Sequence, residues 1–129
     1  MKTDLNVLKV LLFIFILMSI NQTVQAITVR YLELPVFFSS NMVLQRDVPL
    51  KFWGWATPGD TVMIEFSSQN KKYQTKVGVD ADSTWTTCLP AQQVAIEPCE
   101  LRFSLQKYPE TMHILKNVLV GDVWFAAGQ

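Results

Sequence analysis

Few side chains in this sequence are placed to do chemistry, and the titratable ones mostly stand alone. His113 is the single histidine. A Ser-His-Asp mechanism needs its histidine within hydrogen-bond reach of a nucleophile, with a carboxylate behind the ring to orient it. His113 sits in the strand-like run Met112–Val120, away from any serine on a nucleophile turn. A structural or solvated role fits it better than that of a base. Asp122 follows Gly121, and a Gly-Asp pair can lead into a catalytic serine, but here Val123 comes next. Asp122 is therefore expected to close one strand and open the next, or to hydrogen-bond backbone at that junction. Asp80-Ala81-Asp82-Ser83-Thr84 holds two carboxylates. A calcium loop needs about six to eight oxygens, and the EF-hand pattern adds a glycine and a distal glutamate. This segment has neither, so an Asx-rich turn is expected. With no Cys/His cluster at transition-metal spacing and no Gly-rich phosphate loop, no metal site and no cofactor is expected.

Two further pairs leave alternatives open. Trp53 and Trp55 flank Gly54 and share one strand face. Exposed, they would offer a stacking platform for a sugar ring; otherwise they belong to a core or a domain interface, where large aromatics usually sit. Trp85 and Trp124 are expected to be buried. Cys88 and Cys99 are the only cysteines, and an exported chain could join them. Period 2 argues against a bridge. Trp85, Thr87 and Leu89 fall on one face, which puts Cys88 on the other, whereas Cys99 shares parity with Leu101, Phe103 and Leu105. Two free thiols, buried or half-buried, are the alternative.

The elements that must position these residues read as short strands. Ile27–Leu34, Leu50–Ala56, Thr61–Phe66, Tyr73–Val79, Thr84–Leu89, Glu100–Leu105 and Met112–Val120 are apolar or alternating runs. Turn signals at Pro58-Gly59-Asp60, Gly78–Ser83, Pro90 and Pro109 separate them. Val62, Ile64 and Phe66 share a face, and Tyr73–Val79 is expected to pair with that strand across Ser67–Lys72. Spacing of about 8–12 residues without a long helical period predicts an all-β chain, a β-sandwich of immunoglobulin-like or jelly-roll-like type. Ala91–Ile96 is the one stretch that could make a helical turn. Val123–Ala127 differs, being apolar at every position, as in a strand buried on both faces of a sheet under helices. Left without such a sheet, it is a place for self-association.

The chain resembles the sialate O-acetylesterase family, secreted esterases with an SGNH-type α/β hydrolase domain. Leu34–Arg46, which ends in Asn-Met-Val-Leu-Gln-Arg, is similar to the family's opening segment, and Trp53–Gly59 to the next strand and turn. Trp85–Pro90 resembles its next Trp-containing strand. Leu119–Trp124 together with Gly128-Gln129 resembles the approach to a Gly-Gln-Ser-Asn-Met nucleophile turn. The resemblance implies a β-sandwich lead-in domain over residues 27–120 and, over 121–129, the first strand of a truncated hydrolase domain. The nucleophile serine is then expected immediately after Gln129, with Gly128 and Gln129 leading into it and no catalytic residue in the chain itself. That serine's backbone N–H would help bind the oxyanion. The Asp/His pair would come from later segments. The implied activity is removal of O-acetyl groups from sialic acid or related sugars, without a cofactor, and this fragment alone is expected to be inactive.

Residues 1–26 read as a secretory signal peptide. Lys2 and Lys9 precede the apolar core Val10–Ile20, and Val24-Gln25-Ala26 offers a small-residue cleavage site. The core is too short for a stable membrane anchor, which needs about 20 apolar residues. The expected location is secreted or periplasmic. Cleavage leaves 103 of the 129 residues, enough for one domain with a core. The full chain balances 11 basic against 11 acidic residues, and loss of Lys2, Lys9 and Asp4 leaves a net charge of −1. No clustered basic face suggests nucleic acid; Lys71-Lys72 reads as a solvated hairpin. The alternative function is a free-standing, exported β-sandwich that binds carbohydrate through Trp53 and Trp55 or serves assembly.

Overall fold

Alternation governs the architecture. In Thr61–Ser68 the even-numbered Val62, Ile64 and Phe66 are buried and their neighbours half-exposed, and in Leu50–Ala56 buried and exposed residues alternate without a break. That pattern requires a sheet with one face on a core. The computed structural model describes residues 7–10, 12–13, 29–68, 71–124, 126 and 128. Its strands are β1 (Leu32–Glu33), β2 (Val43–Gln45), β3 (Leu50–Ala56), β4 (Thr61–Ser68), β5 (Lys71–Gly78), β6 (Thr84–Leu89), β7 (Ala95–Leu105) and β8 (Met112–Gly121). They form a three-stranded sheet of order β1-β3-β6 and a five-stranded sheet of order β2-β8-β7-β4-β5. Every pairing is antiparallel except that of β2 with β8. The chain is thus an all-β sandwich, as read from the sequence.

The core lies between the sheets. Phe52 from β3 meets Phe103 from β7 edge-on at 5.4 Å between ring centroids, and Trp85 from β6 lies 6.1 Å from the same ring. Val62, Ile64, Leu101, Leu105, Val118 and Val120 fill the space around them. Each side chain of this size contributes about 1.5–3 kcal/mol when fully removed from water. Two glycines serve the turns and the close approach of strands. Gly59 has φ +73° within Thr57-Pro58-Gly59-Asp60, where the Asp60 N–H donates to the Thr57 carbonyl at 3.3 Å. Proline second and a positive-φ glycine third are the requirements of a type II turn. Gly54 lies against β1 and the Trp85 ring, and a Cβ there would collide with the Glu33 carbonyl oxygen.

Several expectations need correction. The first expected strand, Ile27–Leu34, is reduced to β1; residues 29–31 have no regular structure, and residues 27 and 28 lie outside the described set. Residues 91–94 are irregular rather than helical, and Ala95 and Ile96 begin β7. β2 is absent from the expected strands, because its three residues carry too little alternation to announce one. Val123, Trp124 and Ala126 form no strand. Trp124, expected to be buried, is 88% exposed, because no sheet among the described residues receives it. The bridge considered for Cys88 and Cys99 is not formed. Cys88 is exposed on β6 and Cys99 buried on β7, so the two thiols belong to different sheets, and both are free. Residues 7–10 and 12–13 are helical; the rest of the expected signal peptide lies outside the described residues. No helix among the described residues is long and apolar enough to cross a membrane.

Candidate functional site

A polar network among the described residues joins two of the segments that carry the family resemblance, Leu34–Arg46 and Leu119–Trp124. β2 lies parallel to the end of β8, with Val43, Leu44 and Gln45 opposite Leu119, Val120 and Gly121. Parallel neighbours need a long crossover, and here the chain from β2 to β8 supplies it. At the start of β2, Ser40 Oγ accepts from the Lys116 N–H (3.0 Å) and the Asn41 N–H donates to the Lys116 carbonyl (3.0 Å). The side-chain amides of Asn41 and Asn117 hydrogen-bond at 2.7 Å. Both asparagines have positive φ, 68° and 56°, a region that Asn tolerates better than most residues. Asn117 lies where the β7–β8 register shifts, and such a bulge re-aims the strand.

At its far end β2 holds the chain as it leaves β8. The Arg46 N–H donates to the Gly121 carbonyl (2.9 Å), and Arg46 Nε donates to Asp122 Oδ1 (2.9 Å). Gln45 Oε1 accepts from the Val123 N–H (2.8 Å). Arg46 Nη1 also contacts Asp47 Oδ2 at 3.0 Å. The hydrogen bond to Asp122, then the two nearby carboxylate charges, hold the Arg46 guanidinium above its ordinary pKa, so Arg46 stays charged at any ordinary pH. Met42 and Leu44 turn the apolar side of this segment onto the core. Asn41–Arg46 therefore works as a brace: apolar side chains seat it, and polar ones pin β8 and direct the chain as far as Val123.

The other candidates are scattered. Gly128 is exposed with no close neighbour, and Gln129 lies outside the described residues. His113 Nε2–H donates to the Leu32 carbonyl at 2.7 Å, tying β8 to β1, which is a structural use. Asp82 Oδ1 accepts from both the N–H (3.0 Å) and the hydroxyl (2.7 Å) of Thr84, the Asx turn expected. These bonds, the hydroxyl first, hold its carboxyl below the ordinary aspartate value. Asp122 is at the junction, but its partner is a side chain, Arg46, rather than backbone. Trp53 and Trp55 point away from the core, 36% and 44% exposed. Phe37 and Phe38 approach the Trp53 ring at 5.3 and 4.9 Å. Sequence reasoning singles out the 41–46 segment but gives Asn41, Gln45 and Arg46 no task. The available signal is a run of polar residues capable of hydrogen bonding, placed directly after a short apolar stretch.

Comparison with known proteins shows what this chain is similar to. The chain is 33% identical over 98 residues to the sialate O-acetylesterases of Homo sapiens and Pongo abelii. The match covers 72% of the chain and 18% of each relative. A carbohydrate acetylesterase of known structure from Xanthomonas citri superposes with a TM-score of 0.59 at 33% identity, over 74% of this chain and 20% of that one. The chain thus spans about a fifth of the length of the proteins it matches. No family model matches it. The resemblance to the sialate O-acetylesterase family is borne out, and carbohydrate acetylesterase is the shared description of these relatives.

Proposed function

We propose that this chain is the lead-in region of an exported carbohydrate O-acetylesterase, and that its sandwich orients the segment leaving β8 for an SGNH-type hydrolase domain. The brace carries the reading. Asn41, Gln45 and Arg46 all hydrogen-bond to β8 or to the residues just after it, and their segment is one that resembles the family. In that reading a serine beyond the Gly-Gln pair attacks the acetyl carbonyl and forms an acyl-enzyme, which water then hydrolyses. Backbone N–H donors at its turn stabilise the oxyanion. Displacing a reacting group by about 1 Å can cost about 100-fold in rate, so a brace at the root of the segment leaving β8 serves catalysis without touching substrate. The substrates are O-acetylated sialic acids or related sugars.

Residues 1–129 alone supply no hydrolysis in this reading. The single histidine is engaged with the Leu32 carbonyl, and the nucleophile turn lies beyond the brace. Purified chain should not cleave p-nitrophenyl acetate above a boiled control. Turnover that follows the protein through purification overturns the proposal. Export is tested separately: the product recovered outside the cytoplasm should begin at Ile27.

A further inference from the structure

We infer that the outer face of the β1-β3-β6 sheet is a carbohydrate-binding platform that takes two consecutive units of a neutral pyranose chain on Trp53 and Trp55. Lys51, Trp53 and Trp55 all point outward from β3, while Phe52, Gly54 and Ala56 face the core. Alternate residues on a strand stand about 6.8 Å apart, so the two indoles offer successive flat surfaces rather than one. Directly across the ladder, Thr86 pairs with Trp53 and Thr84 with Trp55. Lys51, Trp53, Trp55, Asp80, Thr84 and Thr86 line a surface pocket of about 400 Å³, within the range of about 300–1,000 Å³ usual for small-molecule sites.

The chemistry of this face matches a sugar better than an apolar partner. A pyranose has an apolar C–H face and a rim of hydroxyls, and here each aromatic surface has a hydroxyl opposite it. The Thr84 hydroxyl donates to Asp82 Oδ1 (2.7 Å) and the Thr86 hydroxyl to the Phe52 carbonyl (3.4 Å). Their protons are thereby committed, and their oxygens remain acceptors for sugar hydroxyls. Lys51 and Asp80 add one positive and one negative group to the lining, so the pocket carries no net charge and suits a neutral chain. Phe37 and Phe38 lean on Trp53, which fixes its ring before any ligand arrives. Order that exists beforehand lowers the entropy cost of binding.

This platform goes beyond the esterase reading. Binding here stands or falls on residues outside the brace, and loss of acetylesterase activity does not report on it. The test is titration of the purified chain with xylohexaose, cellohexaose and mannohexaose, followed through tryptophan indole N–H resonances. At least one of the three should shift the Trp53 and Trp55 signals while Trp124, which does not line this pocket, stays put. Trp55→Ala should weaken binding about tenfold, as expected when a stacking surface is lost. Thr86→Val, a substitution of the same shape, should weaken it about threefold by removing one acceptor. Unchanged circular dichroism and melting temperature establish that both variants fold. The inference is overturned if none of the three sugars shifts these resonances at about 10 mM. Binding of equal strength in both variants, or shifts confined to other residues, overturns it as well.

Discussion

Arg46 Nε donates to Asp122 Oδ1 at 2.9 Å, joining residues 76 positions apart. The contact lies one residue beyond the paired end of β2 and β8, where Gln45 faces Gly121. It therefore governs the direction of the chain after the sandwich more than the stability of the sandwich itself. Its two side chains are half in water, 40% and 50% exposed, and exposed pairs contribute little to folding.

Gln45 and Arg46 should consequently affect local order rather than global stability. Gln45→Ala removes the acceptor for the Val123 N–H, at a cost of about 1 kcal/mol or less. Amide exchange at Val123 should speed up in Gln45→Ala and remain protected in Gln45→Glu, which keeps an acceptor oxygen. Arg46→Ala should release Val123 in the same way. Hydrogen exchange read by NMR checks this, and equal protection in all variants would contradict it.

Gly54 should tolerate no side chain. A Cβ at this position collides with the Glu33 carbonyl and presses on the Trp85 ring, so Gly54→Ala has to push β1 off β3. The expected loss is about 1–3 kcal/mol, as for other overpacked cores. Gly78→Ala is the control, since a Cβ at that position would meet nothing within 4 Å. Urea midpoints should separate the two.

Asp82 gives a pH-dependent prediction. The Thr84 hydroxyl, and then the Thr84 N–H, lower its pKa below the ordinary 3.8. A carboxyl whose folded pKa is depressed adds stability above its unfolded pKa and loses it as pH falls through the folded value. The melting temperature difference between the wild type and Asp82→Ala should be constant above about pH 5 and shrink on further acidification. A difference that widens in acid would contradict the assignment.

The two thiols should be chemically distinct. Cys88 is exposed and Cys99 is 2% exposed, and burial pushes the Cys99 thiol above its ordinary pKa. Because the thiolate is the reactive form, a thiol-specific reagent should label Cys88 in the folded chain and reach Cys99 only in denaturant. Simultaneous labelling of both in the folded chain would contradict the core assignment.

Much of this architecture is legible in the sequence because alternation reports burial directly. The faces of Val62, Ile64 and Phe66, the opposite parities of Cys88 and Leu89, and the burial of Trp85 and Cys99 all follow from period 2 and match the structure. The brace is not legible in the same way. β2 is three residues long and pairs with a strand more than 70 positions away, so no local pattern marks it. Its hydrogen bonds depend on two asparagines in left-handed conformations and on a register shift in β8, neither of which composition reveals. Trp124 misleads for a related reason. An apolar run indicates that a strand will be covered, not which part of a protein covers it.

If the sandwich orients a catalytic segment, its brace should matter to an active esterase, and a graft can show this. Residues 29–124 would replace the matching region of the Xanthomonas citri carbohydrate acetylesterase, with and without the paired substitutions Gln45→Ala and Arg46→Ala. Acetate release from an O-acetylated sugar would then be measured. The graft should be active, and the paired substitutions should lower kcat about tenfold or more with KM little changed, because a loosened lead-in misplaces the nucleophile without altering the sugar's contacts. A folded graft with no activity, or one whose kcat ignores both substitutions, would contradict the orienting role.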